Sequence, residues 1–344
     1  DMMAVDLIEK IKETEKAFAK TVVLPESEDE RVLRAAEKIK NEGFANIILV
    51  GKDYQVREKA AKIGVSLEGV QIIDPLSYEK TPEFIRQFVH LRSKKGITEE
   101  QAREIILNDS RFFGAMLVRN CVADGMVAGS NSPTASVLRA AIQVIGPRKG
   151  LKTVSSSFVM LTETKEYGEN GTLIFSDCGV LPNPTAPQIA DIAESAVEKA
   201  RFIAKIQNPK VALLTYSTKG SAEGEQVTKM REAYKILEER KVGFEFDGEL
   251  QLDAAIVPEV ADQKAKGSNV AGAANVLIFP DLCSGNIGYK LVQRFAKAKA
   301  LGPLIQGLAR PVHDLSRGCS VDDIVDVVAI TCAEAAEFCE ILTL

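Results

Sequence analysis

Short runs of apolar, β-forming residues alternate with helical periods along almost the whole chain. Several runs are nearly continuous in Val, Ile and Leu, which is typical of strands buried on both faces of a parallel sheet. We predict strands at KTVVLPE, NIILVG, VQIIDP, DGMVAG, TVSSSFVM, GTLIFSDCGV, VALLTYS, FEFDGEL, VLIFPDL and GPLIQGL. Segments between them, such as SEDERVLRAAEKIKNEG and TAPQIADIAESAVEKARFIAKI, have the pattern of amphipathic helices. The alternation predicts an α/β fold with largely parallel sheets.

The length of 344 residues favours two domains, with one large domain as the weaker alternative. The clearest candidate boundary is IGPRKGLK, residues 145–152, which combines two glycines, a proline and a basic run. From about Gly302 on, a last strand and helix follow. The pattern alone allows this segment to return to the first domain but does not decide it.

Composition and charge narrow the class of partner. The chain is 46% hydrophobic and 26% charged, with a net charge of -5, which argues against a nucleic-acid partner. No apolar run reaches the roughly 18 residues that a membrane span needs. The N-terminal stretch has the pattern of a polar amphipathic helix without the apolar region of a signal peptide. We expect a cytoplasmic protein that binds neither nucleic acid nor membrane.

Cysteine and histidine usage bears on metal and nucleophile chemistry. The six cysteines form no C-x-x-C pair, and in a chain of this size they indicate reduced thiols instead of a disulfide framework. The two histidines, His90 and His313, are far apart in sequence, so a histidine-rich metal site or a histidine-based triad is not expected. A P-loop, a G-x-G-x-x-G fingerprint, H-E-x-x-H and G-x-S-x-G are also absent.

Polar and glycine-rich clusters follow several predicted strands, where ligands gather in open parallel sheets. These clusters are PESEDER, GSNSPTAS, STKGSAEGE and CSGNIGYK. The hydroxyls of GSNSPTAS precede a helix that carries Arg139, which favours an anion site over plain helix capping. STKGSAEGE fits a phosphate-binding loop and an ordinary turn equally well. Arg31 and Arg92, each taken alone, are more typical of surface charges.

The stretch HDLSRGCSVDD also has two interpretations. Ser320 and Asp323 fit a capping box loosely, with Asp in place of Glu, before a clearly helical run. Capping does not account for Ser316, Arg317 and Gly318 just upstream. A catalytic interpretation of this stretch therefore stays open beside the structural one.

Six longer segments carry a resemblance to a known family. They are LPESEDERVLRAA, VRNCVADGMVAG, VALLTYSTKGSA, DGELQLDAAIVP, GAANVLIFPDLCSGNIGYKLVQR and GPLIQGLARPVHDLSRGCSVDDIVDVVAIT. In this order, over nearly the whole chain, they resemble the phosphate acetyltransferase family, also called phosphotransacetylase. The last two segments are long and specific.

The resemblance implies a fold and a reaction. The fold is α/β, with two three-layer α/β domains and a cleft between them, similar to the isocitrate and isopropylmalate dehydrogenase fold. The N-terminal domain would comprise 1–148 plus 302–344, and 149–301 would form the inserted second domain. The implied reaction is acetyl-CoA + phosphate = acetyl phosphate + CoA, in a cytoplasmic homodimer. Coenzyme A is then a substrate, and neither a metal nor a tightly bound cofactor takes part.

The resemblance also implies site residues. Its catalytic aspartate, serine and arginine correspond to Asp323, Ser316 and Arg317 of this chain. Its substrate-binding residues correspond to Arg31, Arg92 and Arg139, with Ser132 and Thr134 less firmly placed because Pro133 and Ala135 depart from the family's serine-rich loop. His313 stands where the family commonly has Asn, and we expect little consequence.

The implied chemistry is direct attack of the CoA thiolate in a ternary complex. Asp323 would act as general base, which calls for partial burial, since an ordinary Asp is a poor base for a thiol. Ser316, Arg317 and backbone N–H groups would stabilise the oxyanion. A cysteine-acyl route through Cys319 is the minor alternative, because Cys319 is better interpreted as a packing residue.

Three rival functions remain open from the sequence. A phosphate butyryltransferase differs in acyl-chain length, which the sequence does not reveal. A dehydrogenase on the shared fold needs metal-binding aspartates and a nicotinamide site, for which no pattern is present. A non-catalytic module that senses CoA or acyl phosphate would not need the retained Ser316, Arg317 and Asp323.

Overall fold

The chain forms two compact units in the computed structural model, which describes residues 2–336, 339–340 and 342. The N-terminal unit comprises Ile8–Arg148 and Leu308–Leu344. The middle unit comprises Lys149–Gly307, together with Asp1–Leu7. Each unit is built around its own sheet.

The elements follow one another in α/β order. Up to residue 148 they are α1 (Met2–Glu15), β1 (Thr21–Leu24), α2 (Glu30–Glu42), β2 (Asn46–Val50), α3 (Asp53–Lys62), β3 (Gln71–Ile73), α4 (Thr81–Leu91), α5 (Glu99–Asn108), α6 (Ser110–Arg119), β4 (Gly125–Ala128) and α7 (Thr134–Val144). Then come β5 (Ser155–Leu161), β6 (Thr172–Ser176), α8 (Ala186–Phe202), β7 (Lys210–Leu214), α9 (Glu225–Arg240), β8 (Glu245–Leu250), α10 (Leu252–Ile256), α11 (Pro258–Lys264), β9 (Val276–Ile278), α12 (Leu282–Phe295) and β10 (Lys299–Gln306). The last two are β11 (Val312–Asp314) and α13 (Val321–Glu334).

The N-terminal unit holds a five-stranded sheet in the order β11-β4-β1-β2-β3, and every pair in it is parallel. Strand β1 is central and pairs Val22 with Ile47 on one side and with Gly125 on the other. Its apolar run is fully buried because helices cover both faces of a parallel sheet. All five strands therefore end at the same edge, where the polar loops follow.

The middle unit holds a six-stranded mixed sheet in the order β10-β5-β6-β9-β7-β8. Strands β6, β9, β7 and β8 are parallel, whereas β10 and β6 flank β5 in antiparallel pairs. Most strands of both sheets are thus parallel. The predicted α/β fold class is confirmed.

The ten strands predicted from the sequence correspond to β1 to β10, and β11 was not predicted. Strand β11 contains Val312, His313 and Asp314, of which only the first is apolar. Its side chains are nonetheless buried, and His313 accepts or donates a 2.7 Å hydrogen bond with Glu334 Oε1. A three-residue strand with two polar residues gives no hydrophobic run to recognise.

The boundary at the end of the middle unit differs from the expected one at 301/302. Residues 299–306 form β10, which pairs with β5 along Ser155–Leu161. The chain therefore enters the N-terminal unit at Leu308 instead of at Gly302. The hydrogen bonds of β10 decide this, and the apolar pattern of GPLIQGL does not reveal which sheet it joins.

The prediction that all six cysteines are free thiols is wrong. Cys121 and Cys339 form a disulfide with a Cα–Cα distance of 5.8 Å, across a sequence separation of 218 residues. Both partners lie in the N-terminal unit. A pair so distant in sequence leaves no spacing signal, and cysteine usage no longer argues for a reducing compartment.

Within the described part of the chain, no helix is both long and apolar enough to cross a bilayer. In the same residues, no group of three or more His, Cys, Asp or Glu side chains is arranged to hold a metal ion.

Candidate active site

Three loops meet at the carboxyl edge of the N-terminal sheet. The Glu26 loop (residues 25–29) follows β1, the serine loop (129–133) follows β4, and the arginine loop (315–320) follows β11. Because β11, β4 and β1 are parallel neighbours, their carboxyl ends lie side by side. Six of the eight predicted site residues lie in or directly beside these loops.

The carboxylate of Glu26 organises the serine loop. It is 2% exposed, and it accepts hydrogen bonds from the backbone N–H of Gly129 (2.6 Å), Ser130 (3.1 Å) and Asn131 (3.0 Å). The hydroxyl of Ser132 also donates to it. The side chain of Glu26 thus occupies the kind of N–H cradle that binds anions in other proteins. Ser132, for which substrate binding stays a prediction, thus has its hydroxyl engaged by Glu26 in the protein alone.

Asp314, at the end of β11, connects the arginine loop with helix α7. Its Oδ2 accepts a 2.6 Å hydrogen bond from the hydroxyl of Thr134, while its Oδ1 is buried without a hydrogen-bond partner. Burial, together with the charge of Glu26, raises the pKa of Asp314 to about 6, against the lowering effect of the hydrogen bond from Thr134 and of the nearby backbone N–H of Leu315. A Cβ on Gly129, at φ 115°, would lie 2.3 Å from Asp314 Oδ1, so the close approach of the two loops requires glycine.

The capping alternative for GSNSPTAS is wrong. Helix α7 has Pro133 at its N-cap, and no side chain caps it. The hydroxyls of Ser132 and Thr134 donate to Glu26 and Asp314. These two carboxylates compete successfully with the helix N-terminus for the hydroxyls because a hydrogen bond to an ionised acceptor is the stronger one.

Arg31 is the second residue of α2, two positions after the N-cap residue Asp29, whose side chain accepts from the Arg31 backbone N–H. Its guanidinium donates to the backbone carbonyls of Arg317 (2.7 Å), Cys319 (2.8 Å) and Ser130 (2.8 Å). It also donates to both carboxylate oxygens of Asp29, at 3.1 and 2.7 Å. These contacts use all five N–H groups of the guanidinium. Arg31 therefore holds the arginine loop against the serine loop.

Ser316 and Arg317 are exposed at the tip of the arginine loop. Ser316 Oγ accepts a 3.2 Å hydrogen bond from the backbone N–H of Gly318, which orients the hydroxyl and leaves its proton available for donation. The arginine loop itself is held by Arg31. The arginine loop thus presents an exposed hydroxyl and an exposed guanidinium on a backbone that Arg31 holds in place.

Asp323 forms a capping box with Ser320 at the start of α13. Its backbone N–H donates to Ser320 Oγ at 3.0 Å, and its Oδ2 accepts from the Ser320 backbone N–H at 2.9 Å. The structural interpretation of this pair is confirmed. Asp323 is exposed, so the partial burial expected of it is not seen in the protein alone. No hydrogen bond from the described residues reaches its Oδ1, which leaves that oxygen able to accept a proton.

Cys319 is the thiol in the arginine loop. It is buried, and burial raises its pKa, assisted by the charges of Asp323 and Asp29 and opposed by that of Arg31. A buried thiol with a raised pKa is a poor nucleophile. This supports the interpretation of Cys319 as a packing residue.

Arg92 and Arg139 line one cavity of about 1190 Å³ in the N-terminal unit. Arg92 is the half-buried C-cap residue of α4, and Arg139 is exposed on α7. Lys95 and Arg103 add positive charge to the same walls, which also carry three acidic side chains. Thr134 precedes Arg139 by five residues, or about 7.5 Å along the helix axis. Helix α7 thus lines the cavity through Arg139, and its first residue, Thr134, is hydrogen-bonded to Asp314.

The loop STKGSAEGE of the middle unit is organised around Glu249. Ser217 Oγ and Gly220 N–H donate to Glu249 Oε2, at 2.7 and 3.0 Å, and Arg231 pairs with the same carboxylate. These partners lower the pKa of Glu249 to about 2, against the raising effect of burial. An internal carboxylate thus occupies this loop, which favours the ordinary-turn interpretation.

Sequence reasoning missed Glu26 and Asp314. The available signal was position: both are acids at the carboxyl end of a parallel strand, next to a hydroxyl-rich loop. Asp29 was also missed, although an Asp directly before a helix is a standard N-cap.

Comparison with known proteins identifies the family. Residues 6–332 match the family model described as Phosphate acetyl/butaryl transferase. The chain belongs to this family.

Individual relatives agree with the family. A protein named phosphate acetyltransferase from Clostridium acetobutylicum is 49% identical over 96% of this chain and 98% of its own length. The crystal structure of a phosphotransacetylase from Streptococcus pyogenes is 41% identical, covers 95% of this chain and 97% of that chain, and superposes with a TM-score of 0.89. A putative 4-hydroxythreonine-4-phosphate dehydrogenase from Salmonella typhimurium, 12% identical over 92% of this chain and 99% of that chain, shares only the fold, at a TM-score of 0.50.

The predicted resemblance and the predicted enzyme class, an acyltransferase, are both confirmed. The fold likeness to a dehydrogenase agrees with the expected fold class. The assignment of catalytic and binding roles to single residues stays a prediction.

Proposed function

We propose that the chain is a phosphate acetyltransferase, which reversibly transfers an acetyl group between coenzyme A and phosphate: acetyl-CoA + phosphate = acetyl phosphate + CoA. The observation that carries this activity is the family match over residues 6–332, with relatives of that name at about half identity. The exposed Ser316, Arg317 and Asp323, which lie within eight residues of one another, supply the groups that the chemistry requires.

The proposed mechanism is direct attack in a ternary complex. Starting from acetyl phosphate, the CoA thiol gives its proton to Asp323, and the sulfur attacks the acetyl carbonyl carbon. A C–S bond forms, and the C–O bond to phosphate breaks as phosphate leaves with the electron pair. A thiol with a pKa near 8.5 is only a few per cent ionised at neutral pH, so a positioned base is worth about 10²–10⁴-fold in rate.

The geometry of Asp323 suits this role. The capping hydrogen bond from Ser320 fixes the carboxylate at the start of α13 and leaves Oδ1 free to take the proton. Since Asp323 is exposed in the protein alone, the desolvation that strengthens it as a base comes from the bound substrates. The reverse reaction returns the proton to the departing thiolate.

The remaining polar groups have separate roles in the proposal. The Ser316 hydroxyl and the Arg317 guanidinium stabilise the oxyanion of the tetrahedral intermediate, where loss of one donor often costs roughly 10²–10³-fold. Arg92 and Arg139 bind phosphate groups of the substrates in the cavity that they line. Arg31 contributes by holding the arginine loop, because its N–H groups are already donated.

We further propose that the enzyme acts in the cytoplasm as a homodimer, as the family resemblance implies. Acetyl-CoA or CoA, acetyl phosphate and inorganic phosphate are its partners, and it binds neither nucleic acid nor membrane. Analytical ultracentrifugation of the purified chain tests the assembly: a mass twice 37.3 kDa is expected. A single species at 37.3 kDa would contradict the dimer.

One assay tests the activity. The protein is mixed with CoA and acetyl phosphate, and formation of the thioester is followed by its ultraviolet absorbance. We expect turnover, with a lower kcat/KM for butyryl phosphate than for acetyl phosphate. Faster reaction with butyryl phosphate would make the chain a butyryltransferase. Calorimetric CoA binding without thioester formation would support the sensing module instead.

A further inference from the structure

We propose that Asp314 is a positioning residue for acetyl transfer: its ionised carboxylate ties the arginine loop, which carries Ser316 and Arg317, to Thr134 at the start of α7. This inference rests on the proposed function.

The contacts of Asp314 show a hydrogen-bonded connection between β11 and α7. The residue ends β11, and Ser316 and Arg317 follow it by two and three positions. Its Oδ2 accepts a 2.6 Å hydrogen bond from the hydroxyl of Thr134, the first residue of α7. The backbone N–H of Leu315 donates to the carbonyl of Ala128 at 2.7 Å, so the start of the arginine loop is also held by β4. Among the described residues, Asp314 provides the side-chain hydrogen bond that joins β11 to α7.

The surroundings of Asp314 disfavour an ionised carboxylate, so a contribution to folding stability does not explain its charge. Its Oδ1 is buried with no hydrogen-bond partner, and no basic side chain in the described part of the chain pairs with it. Glu26, packed against it from the loop after β1, repels it. A neutral amide or an apolar residue would avoid both costs. The presence of a carboxylate here is accounted for if its charge aligns the site.

The other charged groups at this edge are paired with one another or directed elsewhere. The guanidinium of Arg31 donates its hydrogen bonds to Asp29 and to backbone carbonyls, and Arg317 is exposed at the loop tip. The neighbouring strand residue His313 points to the opposite face, where it contacts Glu334. Asp323 faces Ser320 on α13. Glu26 is therefore the charge that acts on Asp314.

Ionisation of Asp314 strengthens the hydrogen bond that it accepts from Thr134. A hydroxyl donates about twice as strongly to a carboxylate as to a neutral acceptor. With a pKa raised to about 6, Asp314 is mostly ionised at neutral pH and becomes protonated as the pH falls through 6. Protonation weakens the bond from Thr134, and Ser316 and Arg317 lose their alignment with α7. Misplacement by a fraction of an ångström is enough to slow an acyl transfer severalfold.

The test compares Asp314→Asn with the wild-type enzyme. At pH 7.5 we expect kcat to fall roughly five- to tenfold, with the KM values for phosphate and CoA within about twofold of wild type. The ratio of wild-type to variant kcat should decline towards one as the pH falls below about 6, since both forms are then uncharged. Substrate ionisation cancels in this ratio. Asp53→Asn, an exposed acid on α3 paired with Arg57, serves as matched control and should leave kcat unchanged.

Thermal unfolding separates positioning from plain structural support. Because the pKa of Asp314 is raised in the folded protein, its charge destabilises the fold above about pH 6. The cost is absent below pH 3.8, the ordinary pKa of an aspartate in the unfolded chain. Asp314→Asn should therefore raise the unfolding midpoint at pH 7.5 while lowering kcat. A lower midpoint, an unchanged kcat, or a kcat ratio independent of pH would each overturn the inference.

A second variant keeps the inference testable if Asp314→Asn does not fold. Thr134→Val removes the hydroxyl, and we expect a severalfold lower kcat from this change alone. Where Asp314→Asn folds, the two effects should not add in the double variant. Unchanged kcat in Thr134→Val would also overturn the inference. Absence of thioester formation by the wild-type enzyme is a different result, because it contradicts the proposed function itself.

Discussion

Substitution of Arg31 by alanine decides between two roles for this residue. The family resemblance implies that Arg31 binds substrate, whereas its observed contacts are with the protein: three backbone carbonyls and the Asp29 carboxylate. Removal of the guanidinium leaves the carbonyls of Ser130, Arg317 and Cys319 without their donor. The arginine loop then loses its support from α2, although Ser316 and Arg317 are themselves unchanged.

The size of the effect follows from these contacts. A hydrogen bond to a charged group contributes about 1.5–3 kcal/mol when buried, but Arg31 is 31% exposed, so water replaces part of each bond. We therefore expect a total loss of about 2–4 kcal/mol of unfolding free energy, not the sum of five full bonds. For units of this size, that loss lowers the unfolding midpoint by about 4–16 °C.

Thermal unfolding and steady-state kinetics together test this reasoning. We expect Arg31→Ala to lower kcat at least about tenfold, while the KM for phosphate changes by less than about twofold. Arg31→Lys should recover little, because an ammonium group cannot reach all three carbonyls. Arg57→Ala, which removes an exposed helix pair, is the control. A large rise in the phosphate KM with normal kcat and normal stability would refute the reasoning and restore Arg31 as a substrate ligand.

Three further outcomes are expected. Asp323→Asn should lower kcat by roughly 10²–10⁴-fold with modest changes in KM, and near-normal turnover would remove Asp323 from the role of base. Arg139→Ala should raise the KM for phosphate or acetyl phosphate, because it removes a guanidinium from the cavity it shares with Arg92; an unchanged KM would contradict that role. Treatment with a chelator should leave the thioester assay unchanged, and loss of activity that added metal restores would show that a metal takes part.

The fold was largely predictable because its signals are local. Ten strands correspond to apolar runs, and helices such as α2 and α8 carry their own caps, Asp29 and Thr185. Strand β11 has no such signal, since its place in the sheet comes from pairing with β4 and from burial under neighbouring elements. The sheet joined by β10 likewise depends on its partner β5 and not on its own sequence.

The candidate site was predictable in part. The loops could be placed because parallel strands end at one edge, and the family resemblance singled out Ser316, Arg317 and Asp323. The hydrogen-bond partners of the hydroxyls could not be read from the sequence. Ser132 and Thr134 could equally have capped α7 or bound an anion, and in the structure they donate to Glu26 and Asp314, which are 106 and 180 residues away along the chain.

The amino-acid sequence by itself determined the α/β class, most helices and strands, and the family. Each of these has a local signal in the sequence: hydrophobic periodicity, helix-capping residues or contiguous motifs. Only the tertiary structure decided that Arg31 serves the protein's own backbone, that Asp314 lies buried beside Glu26, and that Cys121 pairs with Cys339. These facts depend on distances between residues remote in the chain. Burial and charge proximity set hydrogen-bond partners and pKa values, and both exist only once the strands are side by side.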